Sequence, residues 1–459
     1  MHVIVAGGGI AGLAAAHHLL EGGARVTVLE ASSRLGGKLR AGRVAGVAVD
    51  LGAESMLARR PEGLELARAA GLGDALQPPA AGTAAIWTRG AVRPMPTGHV
   101  MGVPGDPAVL EGVVSPEGVA RAARETELPP AGIGGDVAVG EYVAARLGRE
   151  VVDRLVEPLL GGVYAGDVYR TSLRAAVPVL HEAARKEGSL LAAVRGIQER
   201  SAARGQDGPV FTGIAGGMGR LPAAVAGACR AAGAEILTGA PVTELRRTPQ
   251  GWTVAAGDRA LHADAVVLAV PAPAAARLLA DLEPGASAEL AAVEYASMAL
   301  VTLAFRRADL ARVPEGRGFL VPSVDGRAIK ASTFSSNKWT WCAEQDPDLF
   351  VLRTSLGRYG EEEVLGRDDA DLVAASLADL RAAVGLDARP VDTAVTRWRD
   401  GLPQYPVGHL ERTARIRRRL GTLPGLAVCG AAYDGVGIPA CVASARAAAE
   451  QVLRPAGTR

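Results

Sequence analysis

The sequence predicts an α/β protein with three parts: a doubly wound domain with a parallel sheet, a domain with a mixed sheet, and an inserted helical domain. Strands and helices alternate at both ends of the chain, helical spacing dominates between Pro94 and Pro209, and strand patterns return after Ala234. With 459 residues the chain is longer than one hydrophobic core usually supports. Several domains around one large interior or interdomain site are therefore expected.

The N-terminal residues predict a βαβ unit. His2–Ala6 has the pattern of a short buried strand, Ile10–Glu21 that of an Ala/Leu-rich helix, and residues 25–30 that of a β-branched strand. Gly22 and Gly23 supply the usual C-terminal stop of such a helix. The pattern therefore predicts two strands joined by a crossover helix.

After the N-terminal unit, the sequence pattern changes twice, first to helical spacing and then back to short strands. Pro/Gly-rich connections separate segments of helical spacing, notably 140–147 and 190–201, and predict the helical insertion. Short strands follow, and the chain closes with a strand, a glycine-rich turn and an Ala-rich helix, which repeats the order of the N-terminus. These strands are predicted at 252–255, 265–270, 298–305, 319–322 and 426–429, the turn at 430–437 and the last helix at 439–453.

The same changes in pattern set the expected domain limits. No repeat of about twenty to fifty residues occurs, so a solenoid is excluded. The parallel-sheet domain is predicted to comprise residues 1–75, 211–272 and 398–459, the mixed-sheet domain residues 76–97 and 273–397, and the helical domain residues 98–210.

Composition and charge narrow the class of protein. Hydrophobic residues make up 49% and charged residues 22% of the chain, as in ordinary globular proteins. Fifty Lys and Arg against 49 Asp and Glu leave a net charge of +1 without a long run of either sign, which argues against nucleic acid as a partner. The four cysteines show no C-x-x-C spacing, which favours a reducing, cytoplasmic location.

Several other classes lack support in the sequence. No uninterrupted apolar stretch reaches about 18 residues, so a transmembrane helix is not predicted, while peripheral membrane contact stays open. The apolar N-terminus contains His17 and His18 and lacks a basic leader, unlike a signal peptide. No Ser-His-Asp elbow and no H-E-x-x-H or comparable spacing occurs, so neither hydrolysis nor a metal site is predicted.

The N-terminal unit carries a dinucleotide-binding motif. Gly7, Gly9 and Gly12 form G-x-G-x-x-G directly after a strand and directly before a helix. The glycines allow a tight turn and the close approach of a pyrophosphate, which the N–H groups of Ile10 and Ala11 at the helix N-terminus can bind. Plain tight turns are the alternative for the bare pattern, but its context favours a Rossmann-type nucleotide site.

The end of the second strand indicates which dinucleotide binds. Glu30, with Ala31 beside it, would accept hydrogen bonds from the ribose hydroxyls and repel the 2′-phosphate of an NADP, so FAD or NAD is expected. Arg34 and the glycine pair Gly36 and Gly37 follow in a loop that can fold back over the pyrophosphate. This extension favours FAD over a nicotinamide cofactor.

Three further segments carry a family resemblance. They are GGVYAGD at 161–167, Trp398 through Pro403-Gln404-Tyr405 to Gly408-His409, and YDGVGIP at 433–439. With them the chain resembles, over nearly its full length, the flavin amine oxidase superfamily and within it the oxygen-dependent porphyrinogen oxidases of heme biosynthesis. The resemblance implies noncovalent FAD, a substrate domain, and a helical insertion that contacts the membrane in several members. It also implies six-electron oxidation of a porphyrinogen, with dioxygen reduced to hydrogen peroxide.

The resemblance assigns roles to individual residues. Val242 would bind the adenine through its backbone, and Gly166 and Asp167 would line the porphyrinogen site; a core valine and a plain turn are the alternatives. Arg59 and Arg60 suit the substrate propionates, and solvated surface arginines are equally compatible with the sequence. Contacts to the flavin are implied for Gly52, Ala53, Trp398, Gly430, Val436, Gly437 and Ile438, although Ala53-Glu54-Ser55 and Ala440 depart from the residues common in relatives.

No side chain is predicted to be catalytic, because the flavin supplies the chemistry. His409 is expected to be structural. The expected substrate is coproporphyrinogen III, since a chain without an apolar anchor resembles the Gram-positive type and paired arginines suit four propionates. Protoporphyrinogen IX, an amine oxidase or carotenoid desaturase activity, and a non-catalytic flavin-containing porphyrin carrier are the alternatives. Transient contact with a ferrochelatase is a further hypothesis.

Overall fold

A five-stranded parallel sheet forms the centre of the parallel-sheet domain. The computed structural model describes residues 1–130, 132–203 and 208–454. In the central strand, Val3 lies opposite Val26 on one side and Ala265 on the other. The predicted α/β class is therefore confirmed, with a βαβ unit at the N-terminus. The strand order is Glu235–Leu237, Arg25–Leu29, His2–Ala6, Ala265–Leu268 and Leu426–Val428.

Both faces of this sheet are covered, which explains why its strands are continuously apolar. Val3 and Val5 point to one hydrophobic core, whereas Ile4 and Ala6 point to another, as the two-residue period of a strand requires. The first face packs against helices Ile10–Glu21, Arg220–Ala231 and Ile438–Leu453. The second packs against the antiparallel strands Val242–Thr248, Gly251–Ala256 and Arg259–Ala263 and the helices Ala272–Leu279, Pro284–Ala291 and His409–Leu420.

A seven-stranded sheet forms the second domain. It is mixed, because Gly318–Leu320 pairs in parallel with Ala85–Thr88 while the other neighbours are antiparallel. Helix Asp369–Val384 packs against it. The domain limit expected between 397 and 398 falls inside the continuous strand Asp392–Pro403. The order is Asp392–Pro403, Tyr295–Arg306, Leu349–Leu356, Ile329–Thr333, Gly318–Leu320, Ala85–Thr88 and Ala91–Pro94.

Helices dominate the segment between the two sheets. The buried carboxylate of Glu125 joins three of its elements by accepting hydrogen bonds from Arg146 Nε at 2.7 Å and from the amide of Leu190 at 2.8 Å. Residues 149–164 form one helical run with a π-helical turn at Val152–Val156. The helices are Pro116–Ala123, Val139–Leu147, Arg149–Val151, Glu157–Tyr164, Leu173–Ala176, Pro178–Lys186 and Leu190–Ala203.

Short elements connect the three parts. Within the described ranges, no helix combines the length and apolarity that crossing a membrane requires. The remaining helices are Pro61–Ala69, Ser335–Lys338 and Thr340–Ala343, and the 3-10 turns are Gly73–Ala75, Pro107–Leu110, Arg124–Glu127, Arg307–Asp309, Ser323–Asp325 and Glu362–Gly366. The remaining strands are Ala41–Val44, Val47–Asp50, Met56–Leu57, Leu76–Gln77, His99–Val100, Val103–Pro104 and Phe211–Ile214.

Candidate active site

Two helix N-termini meet at the carboxyl end of the parallel sheet. Ile10–Glu21 begins after Gly9 and Ile438–Leu453 begins after Gly437, and neither N-cap residue offers a side-chain hydrogen bond. The first N–H groups of a helix have no intrahelical partner and carry the positive end of its dipole. The meeting point is therefore built to bind an anion.

Two glycines of the N-terminal motif allow close packing. Gly7 has a φ of +111°, and a Cβ atom there would lie 2.5 Å from the carbonyl oxygen of Ala269. A Cβ atom at Gly12 would lie 1.8 Å from the carbonyl oxygen of Gly7. Only glycine lets the first helix approach the two central strands at this distance.

Four other glycines are less crowded than these two. A Cβ atom would meet its nearest protein neighbour at 4.0 Å at Gly9, 3.3 Å at Gly37, 3.8 Å at Gly430 and 3.9 Å at Gly437. At Gly430 that neighbour is the Cβ atom of Ala11, so the two ends of the domain face each other there. We call the surface formed by Gly9, Gly37, Gly430 and Gly437 the nucleotide cradle. A pyrophosphate fits it, because backbone N–H groups can approach without side chains in between.

The carboxylate of Glu30 lies beside the cradle. It accepts hydrogen bonds from the Gly8 amide at 2.7 Å and from the amide and hydroxyl of Ser32 at 2.8 and 2.7 Å. A carboxylate has about four acceptor positions, so capacity for a further hydroxyl group remains. The amide of Ala240 donates to the Glu30 carbonyl, which brings the strand that starts at Val242 to the same edge. The neighbouring Ala31 is exposed.

The loop after the second strand folds back over the first glycine turn, as its sequence predicts. The Gly36 amide donates to the Gly8 carbonyl at 2.8 Å, and Gly36 and Gly37 both have positive φ. The guanidinium of Arg34 donates to the Gly37 carbonyl at 2.9 Å and lies 5.9 Å from the ring of Trp398. Arg34 therefore lies at the cradle and fixes its loop.

Sequence reasoning missed Lys38. Its ammonium is largely buried near Cys441 on the last helix, and among the described residues it has neither a hydrogen-bond acceptor nor a carboxylate partner. Burial lowers the pKa of this ammonium. A bound pyrophosphate would supply the missing counter-charge. The signal in the sequence was a cation directly after Gly37 in the loop that covers the motif.

The segment around Gly52 forms another wall of the candidate site. A Cβ atom at Gly52 would lie 2.0 Å from the Lys38 carbonyl oxygen, and the Ala53 amide donates to that same carbonyl. Trp398 Nε1 donates to the Leu51 carbonyl at 3.0 Å. Gly52, Ala53 and Trp398, which are far apart in the chain, thus lie together.

Buried charges support this wall. Glu54 accepts from Lys338 at 2.5 Å and pairs with Arg353 at 3.2 Å, and Arg353 also donates to the Gly52 carbonyl at 2.7 Å. Burial alone would raise the pKa of the Glu54 carboxyl, but Arg353 and Lys338 hold it below its usual value. The unusual acidic residue at this turn therefore has two cationic partners.

The C-terminal glycine-rich turn is held by Tyr405. Its hydroxyl donates to the Ala431 carbonyl and accepts from the Gly435 amide at 2.8 Å. Tyr405 lies in the hydrophobic core of the helical segment, and Val436 packs against the same core. Val436 and Ile438 are thereby placed at the junction between that core and the cradle.

His409 supports the same turn. Its ring stacks on Tyr405 with centroids 3.8 Å apart, and its Nε2 lies 3.1 Å from the Tyr433 carbonyl oxygen. Burial lowers the pKa of its imidazole to about 4. A neutral, fully buried ring bonded to the backbone supports the structural interpretation of this residue.

The segments that contain Gly166 and Gln404 also meet. A Cβ atom at Gly166 would lie 2.0 Å from Gln404 Oε1, and Gln404 Nε2 donates to the Tyr164 carbonyl at 2.9 Å. Asp167 accepts from the Tyr169 amide at 2.8 Å, so it also stabilises its own turn. Asp167, Gln404 and Tyr405 line a narrow cleft.

Arg59 and Arg60 lie at the start of helix Pro61–Ala69. This helix reaches the N-terminus of the last helix, where a Cβ atom at Gly63 would lie 3.4 Å from Pro439. Arg59 is exposed. Arg60 already has a carboxylate partner, because its Nε lies 3.3 Å from Glu62 Oε2. Both arginines therefore lie at the start of a helix that contacts the first turn of the last helix.

The fold is of the kind found in dinucleotide-binding oxidoreductases, with a parallel-sheet domain, a mixed-sheet domain and a helical segment. A family described as flavin containing amine oxidoreductase matches residues 10–453, and the chain belongs to this family. The family implies a flavin cofactor. The resemblance found in the sequence motifs is thus confirmed.

Individual relatives agree with this assignment. The coproporphyrinogen III oxidase of Mycobacterium bovis is 37% identical over 456 residues, which cover 98% of this chain and 96% of that protein. The coproporphyrinogen III oxidase of Bacillus subtilis (strain 168) is 32% identical over 473 residues, 98% of either chain. A solved structure from Exiguobacterium sp. 255-15, described as a candidate protoporphyrinogen oxidase, matches with a TM-score of 0.87 at 32% identity over 98% of both chains.

Proposed function

We propose that this protein is a cytoplasmic coproporphyrinogen III oxidase that holds FAD noncovalently and uses dioxygen as electron acceptor. The observation that carries the cofactor proposal is the meeting of two uncapped helix N-termini around the nucleotide cradle. The substrate proposal is supported by full-length relatives named coproporphyrinogen III oxidase at 32% and 37% identity. When bound, FAD would supply the chemistry of three two-electron oxidations of the porphyrinogen, balanced by the reduction of three molecules of dioxygen to hydrogen peroxide.

The residues of the cradle would bind and orient the cofactor. Lys38 and the two helix N-termini would neutralise the pyrophosphate. Glu30 would hold the ribose hydroxyls, and the Val242 backbone the adenine. We assign contacts with the pyrophosphate to Gly7, Gly9, Ile10, Ala11, Gly12, Arg34, Gly36 and Gly37, with the ribose to Glu30 and Ala31, and with the flavin ring to Gly52, Ala53, Trp398, Gly430, Val436, Gly437 and Ile438.

The N-terminus of the last helix has a second task in this proposal. Its positive end would stabilise negative charge on the pyrimidine side of the reduced ring. The apolar surroundings of Val436 and Ile438 would exclude water from that side. No protein side chain is required as a proton donor or acceptor, since the surrounding groups act by orientation and electrostatics.

The substrate would lie between the cradle and the helical segment. Gly166 and Asp167, which meet Gln404 from the mixed sheet, would form one wall. Arg59 and Arg60 would bind propionate groups. A transient contact with a ferrochelatase would let the oxidised product pass on without release into solvent.

Anaerobic reduction of the bound flavin tests this function. The purified protein is mixed with coproporphyrinogen III or protoporphyrinogen IX without oxygen, and bleaching of the flavin absorbance is followed; oxygen is then admitted, and porphyrin fluorescence and peroxide are recorded. Faster bleaching by coproporphyrinogen III, with peroxide release, is expected. Porphyrin binding without bleaching would instead indicate a carrier. Amines are added in a parallel mixture, and bleaching only there would indicate an amine oxidase.

Protoporphyrinogen IX is the second candidate substrate. It is favoured by the likeness to the Exiguobacterium structure at a TM-score of 0.87. The same experiment separates the two, because faster bleaching by protoporphyrinogen IX would replace the coproporphyrinogen proposal.

A further inference from the structure

A groove of about 450 Å³ lies at the end of the first helix that is remote from the nucleotide cradle. Its lining residues come from helices Ile10–Glu21, Pro61–Ala69 and Ile438–Leu453. Because a helix rises 1.5 Å per residue, His17, the first residue of this helix that lines the groove, lies about 12 Å along the helix from Gly9. The His17, His18 and Glu21 part of the groove is therefore separated from Gly9, while Glu62, on another helix of the groove, pairs with Arg60.

Three side chains direct nitrogen and oxygen atoms to one point in this groove. His17 Nδ1 lies 3.5 Å and His18 Nδ1 lies 3.0 Å from Glu21 Oε2. One potential ligand atom from each of the three residues lies within 4.8 Å of the other two. The helix explains this arrangement, because residues three or four apart lie on the same face. His17 is four residues and His18 three residues before Glu21.

The two imidazoles have unused hydrogen-bonding capacity. Their side chains are only 14% and 21% exposed, for His17 and His18 respectively. Nδ1 of His17 and Nε2 of His18 find no hydrogen-bond partner within the described part of the chain. A buried nitrogen without a partner is unfavourable. For His17 this nitrogen is the one that faces Glu21, so an ion that accepts its lone pair there would stabilise the fold, whereas His18 faces Glu21 through Nδ1.

The charge of the groove favours a cation. Glu62, Glu65 and Glu450 line it together with one cation, Arg446, and Glu62 is paired with Arg60 beside the groove. Arg446 is engaged by Glu450 at 3.1 Å, and Glu65 has no ion-pair partner among the described residues. The first helix ends here, and the negative end of its dipole adds to the effect.

We infer that His17, His18 and Glu21 bind a divalent transition-metal ion such as Zn²⁺. Imidazole and carboxylate are the ligands that such ions accept in proteins. Glu65, on the facing helix, is the candidate fourth ligand, and with it the ion would join two helices of the parallel-sheet domain. Sequence motifs gave no sign of this site, because its ligands follow no recognised spacing and the groove needs all three helices. At this distance from the cradle the ion stabilises the fold and takes no part in the oxidation.

Metal titration of the whole protein tests this site. Full-length protein, prepared without a histidine tag and treated with a chelator, is titrated with Zn²⁺ by calorimetry and with Co²⁺ by visible absorption. One equivalent of Zn²⁺ is expected to bind and to raise the melting temperature by a few degrees. Replacing a residue that binds the ion directly should weaken Zn²⁺ binding about 100-fold or more. This is more than the loss expected from removing a residue that only hydrogen-bonds to a ligand.

Two variants and one control are compared. Glu21→Gln and the double variant His17→Gln/His18→Gln should lose tight binding, whereas His262→Gln removes an exposed histidine elsewhere and should bind like the original protein. Failure of the original protein to bind one equivalent at micromolar Zn²⁺, or unchanged affinity in Glu21→Gln, overturns the proposal. Glu21 is 59% exposed, so its variant folds and decides the question even if the histidine variant does not. Flavin content and porphyrinogen turnover should be unchanged in Glu21→Gln, which separates this proposal from the function proposed above.

Discussion

The Gly435 amide donates a hydrogen bond of 2.8 Å to the Tyr405 hydroxyl. That hydroxyl donates in turn to the Ala431 carbonyl, so one side chain holds both ends of the turn before the last helix. Tyr405 belongs to the core of the helical segment. The turn that we propose to contact the flavin is therefore positioned by a different part of the protein.

Replacing Tyr405 by Phe should weaken FAD binding. The variant keeps the ring that stacks on His409 but removes the partner of a half-buried amide and of a half-buried carbonyl, at a cost of up to about 1–3 kcal/mol each. If about 1.4 kcal/mol of this cost falls on the bound state, the dissociation constant of FAD rises tenfold. Titration of the flavin-free protein with FAD measures this dissociation constant. Tyr169→Phe, which removes a hydroxyl bonded to Asp153 in the helical segment, is the control and should leave FAD affinity unchanged.

Replacing Gly12 by Ala should prevent assembly of the cradle. The added methyl group would lie 1.8 Å from the Gly7 carbonyl oxygen, which no side-chain rotation relieves. The variant should purify without flavin and with a lower melting temperature. Gly227→Ala is the matched control, since it lies inside helix Arg220–Ala231 with no atom within 4 Å of the new methyl group. It should be stabilised by about 0.5–1 kcal/mol, and a Gly12→Ala protein with full flavin content would contradict the close packing.

Replacing Gly166 by Ala should impair turnover more than flavin binding. The methyl group would lie 2.0 Å from Gln404 Oε1 and would displace the proposed substrate wall. We expect kcat/KM for coproporphyrinogen III to fall about tenfold, which corresponds to about 1.4 kcal/mol, at unchanged flavin content. Adding Gln404→Ala removes the opposing atoms and should restore part of the activity. Equal kcat/KM in Gly166→Ala and the original protein would place this segment away from the substrate.

Replacing Arg59 by Ala should raise KM for coproporphyrinogen III about tenfold, because a hydrogen bond between charged groups contributes about 1.5–3 kcal/mol. The effect on protoporphyrinogen IX should be smaller, since it carries two propionates instead of four. Initial rates with both substrates measure the difference. Arg246→Ala, on an exposed strand of the parallel-sheet domain, is the control. An unchanged KM for coproporphyrinogen III in Arg59→Ala would remove Arg59 from the proposed site.

Two buried groups should give opposite pH dependences of stability. Burial lowers the pKa of His409 from 6.5 to about 4, so its contribution is present above pH 6.5 and is lost as the pH falls through about 4. Burial raises the pKa of Asp50 from 3.8 to about 6, so its contribution is present below pH 3.8 and is lost as the pH rises through about 6. Each shift corresponds to about 3 kcal/mol, and the two largely cancel.

Single replacements should reveal each contribution. Between pH 6.5 and 4, Asp50→Asn should lose about 3 kcal/mol of unfolding free energy relative to the original protein, because only the His409 effect remains. His409→Gln should gain a similar amount as the pH falls through the same range. Urea unfolding of the flavin-free proteins measures both. Parallel pH profiles for all three proteins would show that neither group titrates as described.

Local sequence patterns predicted these helices and strands, but they predicted the ends of the helices and strands less accurately. The strand expected at 298–305 extends over Tyr295–Arg306, and the one expected at 265–270 ends at Leu268, because hydrogen bonding to neighbouring strands decides where a strand stops. The expected helix at 439–453 begins at Ile438. Differences of this size follow from the capping and pairing of each end, which one-dimensional periodicity does not contain.

By itself, the sequence determined the α/β class, the βαβ unit and the glycine motif, because each depends on residues close together in the chain. Only the tertiary structure decided which distant groups meet: Glu54 with Lys338, Gly166 with Gln404, and Tyr405 with Gly435. It also gave Lys38 its burial and brought three helices around His17 and His18. The physical reason is that such contacts depend on sheet register and domain packing, and these follow from the burial of the whole chain rather than from the spacing within any one segment.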